Sequence, residues 1–382
     1  MRRAFVVVLD ACGVGALPDA AAYGDAGANT LAHLAEVEGG LRCPTLQRLG
    51  LGSIWPVAGM APDEQPVLHG RLHPLGPGKD STAGHWELMG VVMPAPAPTY
   101  PAGFPPEVIA DVVRIAGRAA LCNRPYNGLG AIEDFGARAL TEQAVIVYTS
   151  QDSVLQIAAH VDVLSPEQLY AVCEEVRSVL TGEHGVGRVI ARPFAGADGS
   201  FHRTDGRRDY GLAPPSRSYL LELQQAGVPV HTVGKSGQLF SGIGIDEQHP
   251  GATNAQGLAE TGRLLDSLQH GLVFTNLIET DQVHGHRHDS AGFHRALREI
   301  DAAVAGWLPR LGDGDLLVLS ADHGCDVTAP HTDHTREHVP LLAAFAGHGG
   351  RRHDGPMADV GASVLRWLTG RDAPELPGEP FL

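Results

Sequence analysis

Short apolar runs rich in β-branched residues punctuate this chain, separated by segments in which apolar positions recur at helical spacing. That alternation predicts an α/β fold with a mostly parallel central sheet flanked by helices. The clearest strands are predicted at Ala4–Leu9, Val228–Val233, Leu272–Asn276 and Leu316–Ser320. The clearest helices are predicted at Thr30–Glu38, Ser216–Ala226, Ala255–Leu268, Ala291–Leu311 and Asp359–Leu368. Two proline-rich stretches, Met93–Pro101 and Ala213–Ser216, interrupt the pattern, and proline both stiffens a segment and ends helices. Between them lies a self-contained α/β segment, with strands near Val145–Thr149 and Arg188–Ala191 and a helix near Pro166–Leu180. The expected organisation is a discontinuous core, residues 1–93 and 215–382, carrying a smaller inserted α/β cap at 94–214.

Composition narrows the function classes. A chain of 382 residues with 43% hydrophobic and 19% charged residues suits a globular protein of two domains with a full core. Its formal net charge of -16 argues against a polyanion-binding surface, so nucleic acid is not an expected partner. A small phosphorylated substrate stays compatible, because a local cationic pocket can sit on an acidic protein. The 5 cysteines are scattered, with no C-x-x-C pair, and read as reduced thiols of a cytoplasmic protein. The apolar start Ala4–Leu9 stops at Asp10 with no cleavage-site pattern behind it, so it reads as a buried strand rather than a signal peptide. No apolar stretch is long enough to span a bilayer, and no membrane partner is expected.

The chemistry concentrates where predicted strands end. Ser320-Ala321-Asp322-His323-Gly324 follows the run Asp315–Leu319, and His334 comes close behind. Asp10 ends the first strand, and Asp281 and His286 follow the strand at Leu272–Asn276. Open α/β sheets build their sites at such strand ends. The loop Gly78-Lys79-Asp80-Ser81 leads into an apparent helix. Asp80 or Ser81 can cap that helix, and the Ser81 hydroxyl would lie where free N–H groups favour a phosphoryl group. Three carboxylates, three imidazoles and a hydroxyl suit two divalent metals and a phosphoryl-accepting nucleophile. Each fragment also has a plainer reading: Asp10 as a turn former, 281–289 as a solvated histidine-rich loop, and Cys325, which adjoins Asp322-His323 and could touch a metal, as a small residue in a turn.

These motifs resemble the phosphopentomutase family of the alkaline phosphatase-like metalloenzyme superfamily almost end to end. The matching segments are Val7–Asp10, Gly78–Ser81 with Gly84–Glu87, Tyr148–His160, Gly187–Phe194, Ala321–Gly324 and Thr332–Glu337. The metal motifs are shared across the superfamily, whereas 148–160 and 187–194, in the cap, are much more specific to the mutase. The resemblance implies that Asp281, His286 and His334 bind one metal and Asp10, Asp322 and His323 the other, with Mn²⁺ favoured. It puts Ser81 at the position of the family's phosphorylated threonine, with Thr82 as the adjacent alternative. It implies a sugar-phosphate site made by Ser150, Asp152, Val154, Arg188, Ile190 and Arg203 of the cap, with Lys235. Val161 after His160 and Ser236-Gly237-Gln238 after Lys235 depart from the family pattern and bear on substrate choice.

The implied reaction interconverts ribose 1-phosphate and ribose 5-phosphate, and their 2-deoxy forms. Phosphate would be carried on Ser81 and pass through a sugar bisphosphate, with a bisphosphate such as glucose 1,6-bisphosphate as activator. The cap would orient the sugar and exclude water. Two other readings stand beside it: a phosphomonoesterase on the same scaffold, and a metal-binding protein without catalysis. The oligomeric state, monomer included, is left open.

Overall fold

The computed structural model describes residues 2–150, 153–346 and 349–382. They form two compact units, Met1–Ala95 with Pro214–Leu382, and Pro96–Ala213. The larger unit is built on an eight-stranded sheet in the order Glu247–His249, Val230–Val233, Gly271–Leu277, Arg3–Leu9, Asp315–Ser320, Val339–Phe345, Leu68–His73, Gly355–Pro356. The first five run parallel, and Val339–Phe345 turns antiparallel to Asp315–Ser320. The mostly parallel sheet expected from the sequence is therefore present, with an antiparallel flank.

Strand Arg3–Leu9 lies at the centre and is covered on both faces, which is why it reads as an unbroken apolar run. On one face, Phe5 and Leu317 meet Thr261, Leu265 and Trp307. Leu9 and Leu319 continue that face against Leu31, Leu46, Leu51 and Leu297. Side chains of opposite parity project to the other face. There Phe274 meets the rings of Phe240 and His85, and helix Asp359–Thr369 packs across the three central strands. The half-buried Arg3 meets the buried Asp315 at 2.5 Å, tying the first strand to its neighbour in a bidentate contact.

Two helices differ from expectation at their ends, each for a local reason. The helix expected from Ser216 starts at Tyr219, because the Ser218 hydroxyl caps it by accepting from the Leu221 N–H. The helix expected to reach Leu311 ends at Trp307 and tightens into the turn Leu308–Arg310, where Pro309 supplies no N–H. Leu68–His73 was not foreseen as a strand. Its sequence is half polar and contains Gly70, where a Cβ would lie 1.8 Å from the His353 carbonyl oxygen.

The smaller unit has a mixed sheet in the order Ala120–Pro125, Val145–Thr149, Val154–His160, Arg188–Ala195, His202–Arg203, with Arg208–Gly211 also paired to Arg188–Ala195. Val145, Val147, Leu155, Ile157 and Val189 face helices Pro106–Ala116 and Pro166–Val179. Ile146, Tyr148, Ala158 and Phe194 face helix Gly128–Glu142. Val154, Arg188 and Ile190 share the parity of this second set.

One contact joins the framework to the strand ends that carry the chemistry. Helix Ser81–Leu88 approaches so closely that a Cβ on Gly84 would lie 2.2 Å from the Asp322 carbonyl oxygen. Gly84→Ala is therefore expected to destabilise the fold by about 1–3 kcal/mol through overpacking. It should also displace Asp322 and weaken divalent-metal uptake. Wild-type melting together with wild-type metal affinity in this variant would refute the account.

Candidate metal centre and phosphoryl site

Parallel pairing brings the acidic strand ends together. Val8 is in register with Ser320 on one side and Asn276 on the other, so Asp10 and Asp322 stand level, two residues further on. Asp10, Asp281, Asp322 and His323 are only 1%, 5%, 4% and 3% exposed, which makes their polar atoms costly unless partnered. Asp281 follows strand Gly271–Leu277 on a wide helical turn, Thr280–His284, of the kind often found at functional sites. A backbone bridge between Gly324 and Thr335 folds the following loop back and stacks the His334 ring 4.0 Å from His323.

Two imidazoles are held with a chosen nitrogen inward. His323 Nδ1 donates to the Gly324 carbonyl at 3.0 Å, leaving Nε2 to face Asp10 at 3.5 Å and Asp322 at 3.4 Å. His286 Nδ1 reaches the Thr332 carbonyl at 2.6 Å, leaving Nε2 3.3 Å from Asp281. Fixing one ring nitrogen so that the other points at a cation is the usual outer support of a metal site. Asp281 is also 3.4 Å from His334 Nε2. Two sets of ligand atoms converge, Asp281 with His286 and His334, and Asp10 with Asp281 and His323. Asp322 joins the second through His323, so all six residues singled out as ligands come together, with Asp281 reaching both sets.

Four buried atoms in this group have no hydrogen-bond partner: Asp10 Oδ1, Asp281 Oδ1, Asp322 Oδ2 and His334 Nε2. His85 Nδ1 lies 3.1 Å from Asp322 Oδ2, but its N–H is directed at the Ser81 carbonyl, 2.8 Å away. Native structures rarely leave buried acceptors orphaned. Separations of 3.3–3.5 Å between donor atoms match the spacing around a shared cation with bonds of about 2.0–2.2 Å. The residues present thus fit divalent metal.

The charges answer to the same crowding. Burial, with Asp322 and Asp281 nearby, pushes the Asp10 carboxyl well above its ordinary range. Burial would also raise Asp281, but the imidazoles of His286 and His334 outweigh it and hold its carboxyl well below the usual range. The hydrogen bond to Asp281 pushes His286 up to about 11. Burial lowers His323.

Ser81 opens helix Ser81–Leu88, and its Oγ lies 3.1 Å from His323 Nε2. The cap is Asp80, which accepts from the Thr82 and Ala83 N–H groups. Those N–H groups are therefore already used, and the helix start does not offer them to a phosphate as the sequence suggested. No hydrogen bond from the Thr82 hydroxyl is found among the described residues. Lys79, the nearest basic residue in sequence, is held by Asp25 at 3.1 Å and Asp333 at 3.5 Å. Arg336 binds Asp19 and donates to the Gly78 carbonyl at 2.6 Å. Both cations serve to fix the loop.

The remaining expected substrate residues fall as follows. Arg188 lies 3.6 Å from Asp209, which Arg207 also holds, at 2.7 Å. Val154 and Ile190 are buried, Val154 is in register with Arg188, and the exposed Arg203 is in register with Phe194. The Arg203 guanidinium reaches back beside Gly128, where the buried Tyr148 hydroxyl has no partner. Lys235 Nζ donates to Gln282 at 2.9 Å. Ser150 is half-buried, and Asp152 lies outside the described residues.

Sequence reasoning gave no role to several residues that shape the site. Asn276 Nδ2 donates to Asp10 at 2.8 Å and to His85 Nε2 at 2.9 Å. Glu337, 2% exposed, accepts from Thr30, Gly15 and Thr335. Asp25 receives Lys79 and the Arg336 N–H. Their available signal was a polar residue embedded in an apolar run, as at Asn276, or a charged residue directly after a ligand motif, as at Glu337.

Residues 2–370 match the sequence model of the Metalloenzyme superfamily, so the chain belongs to that superfamily. The fold agrees: a protein of known structure from Pyrococcus horikoshii superposes with a TM-score of 0.50 at 15% identity, over 97% of this chain and 98% of that one. Within the superfamily the likeness is much closer. The chain is 48% identical to a phosphopentomutase of Anaeromyxobacter sp. (strain K) over 96% of its own length and 95% of that protein's. It is 44% identical to one from Caldanaerobacter subterraneus subsp. tengcongensis, over 95% and 93%. The chain belongs to the phosphopentomutase family, and is a metal-dependent phosphosugar mutase of the isomerase class.

Metal has to displace the proton that Asp281 retains on His286, and it competes with protons at Asp10, whose carboxyl burial pushes up. Calorimetric loading near neutral pH, in buffers of different ionisation enthalpy, should show at least one proton released per chain. Affinity should fall on acidification. Heats independent of the buffer would contradict this description.

Proposed function

We propose that Asp10, Asp281, His286, Asp322, His323 and His334 hold two divalent ions beside the Ser81 hydroxyl. The chain then interconverts ribose 1-phosphate and ribose 5-phosphate, and their 2-deoxy forms, by way of phosphate carried on Ser81. The observation that carries this reading is the set of four buried ligand atoms without partners, gathered around the imidazole that Ser81 touches. Carboxylate and imidazole donors together suit Mn²⁺, although Zn²⁺ accepts the same set. Bound divalent ions supply charge neutralisation for the transferring oxygens.

The side chains account for the rest. Ser81 presents Oγ at the start of a helix whose first turn the Asp80 cap fixes, directed at His323 Nε2, the nitrogen that would turn to the metal on loading. The free hydroxyl of a sugar monophosphate attacks the phosphorus on Ser81, the P–Oγ bond breaks, and Oγ regains a proton. A sugar bisphosphate results, and its other phosphate returns to Ser81 by the reverse step. A trace of a bisphosphate such as glucose 1,6-bisphosphate would load Ser81 at the outset. Lys79 and Arg336 are engaged with Asp25, Asp333 and Asp19, so charge at phosphorus is left to the six-ligand site.

Ser150, Asp152, Val154, Arg188, Ile190 and Arg203 of the smaller unit are proposed to recognise the sugar phosphate, and Lys235 of the larger unit is proposed as a further substrate-binding residue. Arginine suits this task because its planar fork meets phosphate oxygens bidentately. The 5 cysteines are unpaired, which suits a reducing, cytoplasmic setting. No described helix is long and apolar enough to cross a membrane.

A phosphorus NMR time course with ribose 1-phosphate, Mn²⁺ and a trace of glucose 1,6-bisphosphate tests the reaction. The expected result is ribose 5-phosphate with little inorganic phosphate, lost in Ser81→Ala and retained in Thr82→Ala. Accumulating inorganic phosphate would mean a phosphomonoesterase. No turnover and no labelling at Ser81 would leave a metal-binding protein.

Arg203→Ala should lower kcat/KM about 10–150-fold, the worth of one charge-assisted hydrogen bond. An unchanged kcat/KM would remove Arg203 from the substrate site.

A further inference from the structure

A second group of potential ligands stands at the edge of the larger sheet. Strand Glu247–His249 is the outermost strand and pairs in parallel with Val230–Val233. Glu247 is in register with His231, so the two side chains share a face, and His249, two residues on, shares it as well. The result is a triangle. His231 Nδ1 lies 3.0 Å from His249 Nε2. It lies 3.4 Å from Glu247 Oε2, and His249 Nε2 lies 3.7 Å from Glu247 Oε1. The imidazole rings stack at 5.2 Å with their planes 24° apart.

What sets this trio apart from an incidental surface cluster is the support behind His249. Its Nδ1 lies 3.0 Å from Glu260 Oε1, on helix Asn254–Ser267. Glu260 is itself gripped by both nitrogens of the Arg263 fork, at 2.6 and 3.0 Å. A carboxylate accepting from Nδ1–H fixes the tautomer of His249 and turns the Nε2 lone pair toward His231 and Glu247. This is the carboxylate–histidine arrangement that orients metal-bound imidazoles. His249 is nearly buried while the Glu247 side chain is 60% exposed, so the group has a rigid inner wall and an open outer side.

We infer that His231, Glu247 and His249 form a binding site for a transition-metal dication of the zinc type, separate from the six-ligand centre. Metal bonds of about 2.0–2.1 Å in a tetrahedron place ligand atoms about 3.3–3.4 Å apart. The observed edges of 3.0, 3.4 and 3.7 Å bracket that value, so a dication fits after shifts of a few tenths of an ångström. Two imidazoles and one carboxylate leave the fourth position to water. The donor balance also separates this site from the other, which has three carboxylates among its six ligands. Imidazole-rich donors favour zinc over manganese, following the general order of divalent affinities. The ion would clip the edge strand to its neighbour, where the Gly234 N–H already bonds the His249 carbonyl at 3.3 Å, one residue before Lys235.

The test is equilibrium dialysis of the manganese-saturated protein against low-micromolar Zn²⁺ with Mn²⁺ in large excess. Zinc-edge anomalous diffraction from crystals treated the same way supplies the location. Wild type should hold one zinc more per chain than His249→Gln or Glu247→Gln, with anomalous density between residues 231, 247 and 249. Glu260→Gln should weaken that zinc about 10–100-fold. Glu247 is exposed, so its variant guards against a folding defect in His249→Gln, and each variant is checked by its melting curve. Equal zinc counts in wild type and the Glu247→Gln variant would overturn the proposal, as would zinc density confined to the six-ligand centre. In either case the trio is a hydrogen-bonded histidine pair and nothing more. Because the readout is zinc count and position, it stands or falls independently of whether the chain turns over pentose phosphates.

Discussion

Three carboxylates buried against one another at the end of a parallel sheet are the constraint on which the rest of the molecule depends. Removing a carboxylate from water costs several kcal/mol, and mutual repulsion adds to the cost. The protein answers with protons and imidazoles where it has them. Asp10 retains its proton well above the ordinary range, whereas burial on Asp322 is outweighed by His323 and His85, which bring its carboxyl to about 2. A site that holds its ligands in this state is already shaped around a charge that side chains do not supply. Divalent metal is that charge, and superfamily membership agrees with it.

Such a site persists only if the backbone around it cannot relax, and several close contacts see to that. Gly84 lets helix Ser81–Leu88 press on the Asp322 carbonyl. Glu337 fills the space beside Gly13 and Gly324, where an added Cβ would meet its carboxylate oxygens at 2.3 Å in both cases. Burial pushes the Glu337 carboxyl up, yet the hydroxyls and N–H groups around it satisfy its oxygens. Thus one buried acidic residue, without touching a ligand, locks the turn after Asp10 to the turn after His323. Asn276 adds a bridge, spending both amide hydrogens on Asp10 and His85.

How much of this could be read from the residues follows from which interactions are local. The central strands were legible because full burial writes itself as an apolar run, as in Ala4–Leu9 and Leu316–Ser320. Of the proposed metal ligands, Asp10 and Asp322 stood out because each closely follows such a run, whereas His334 is brought to them by the bridge between Gly324 and Thr335. Leu68–His73 was not legible, since its place is decided by pairing with Val339–Phe345, far away in sequence, and by a glycine that admits the His353 backbone. The choice of Asp80 as cap was open for a related reason. Asp80 and Ser81 are both good capping residues, and only the three-dimensional position of His323 gives the Ser81 hydroxyl another partner. Glu337 and Asp25 escaped because most of their work is long-range, reaching Thr30, Gly15, Lys79 and Arg336 across the fold.

The serine at position 81, proposed as the phosphate carrier, stands where the family resemblance puts a threonine. A threonine would restrict its own side-chain torsion through branching at Cβ, whereas serine has three rotamers open to it. Here the restriction comes from outside. The Asp80 cap fixes the backbone of the first turn, the His85 ring holds the Ser81 carbonyl, and His323 selects the rotamer that turns Oγ inward. His323 can do so because its own Nδ1 is committed to the Gly324 carbonyl. The orientation that branching would impose is therefore supplied here by the neighbouring side chains.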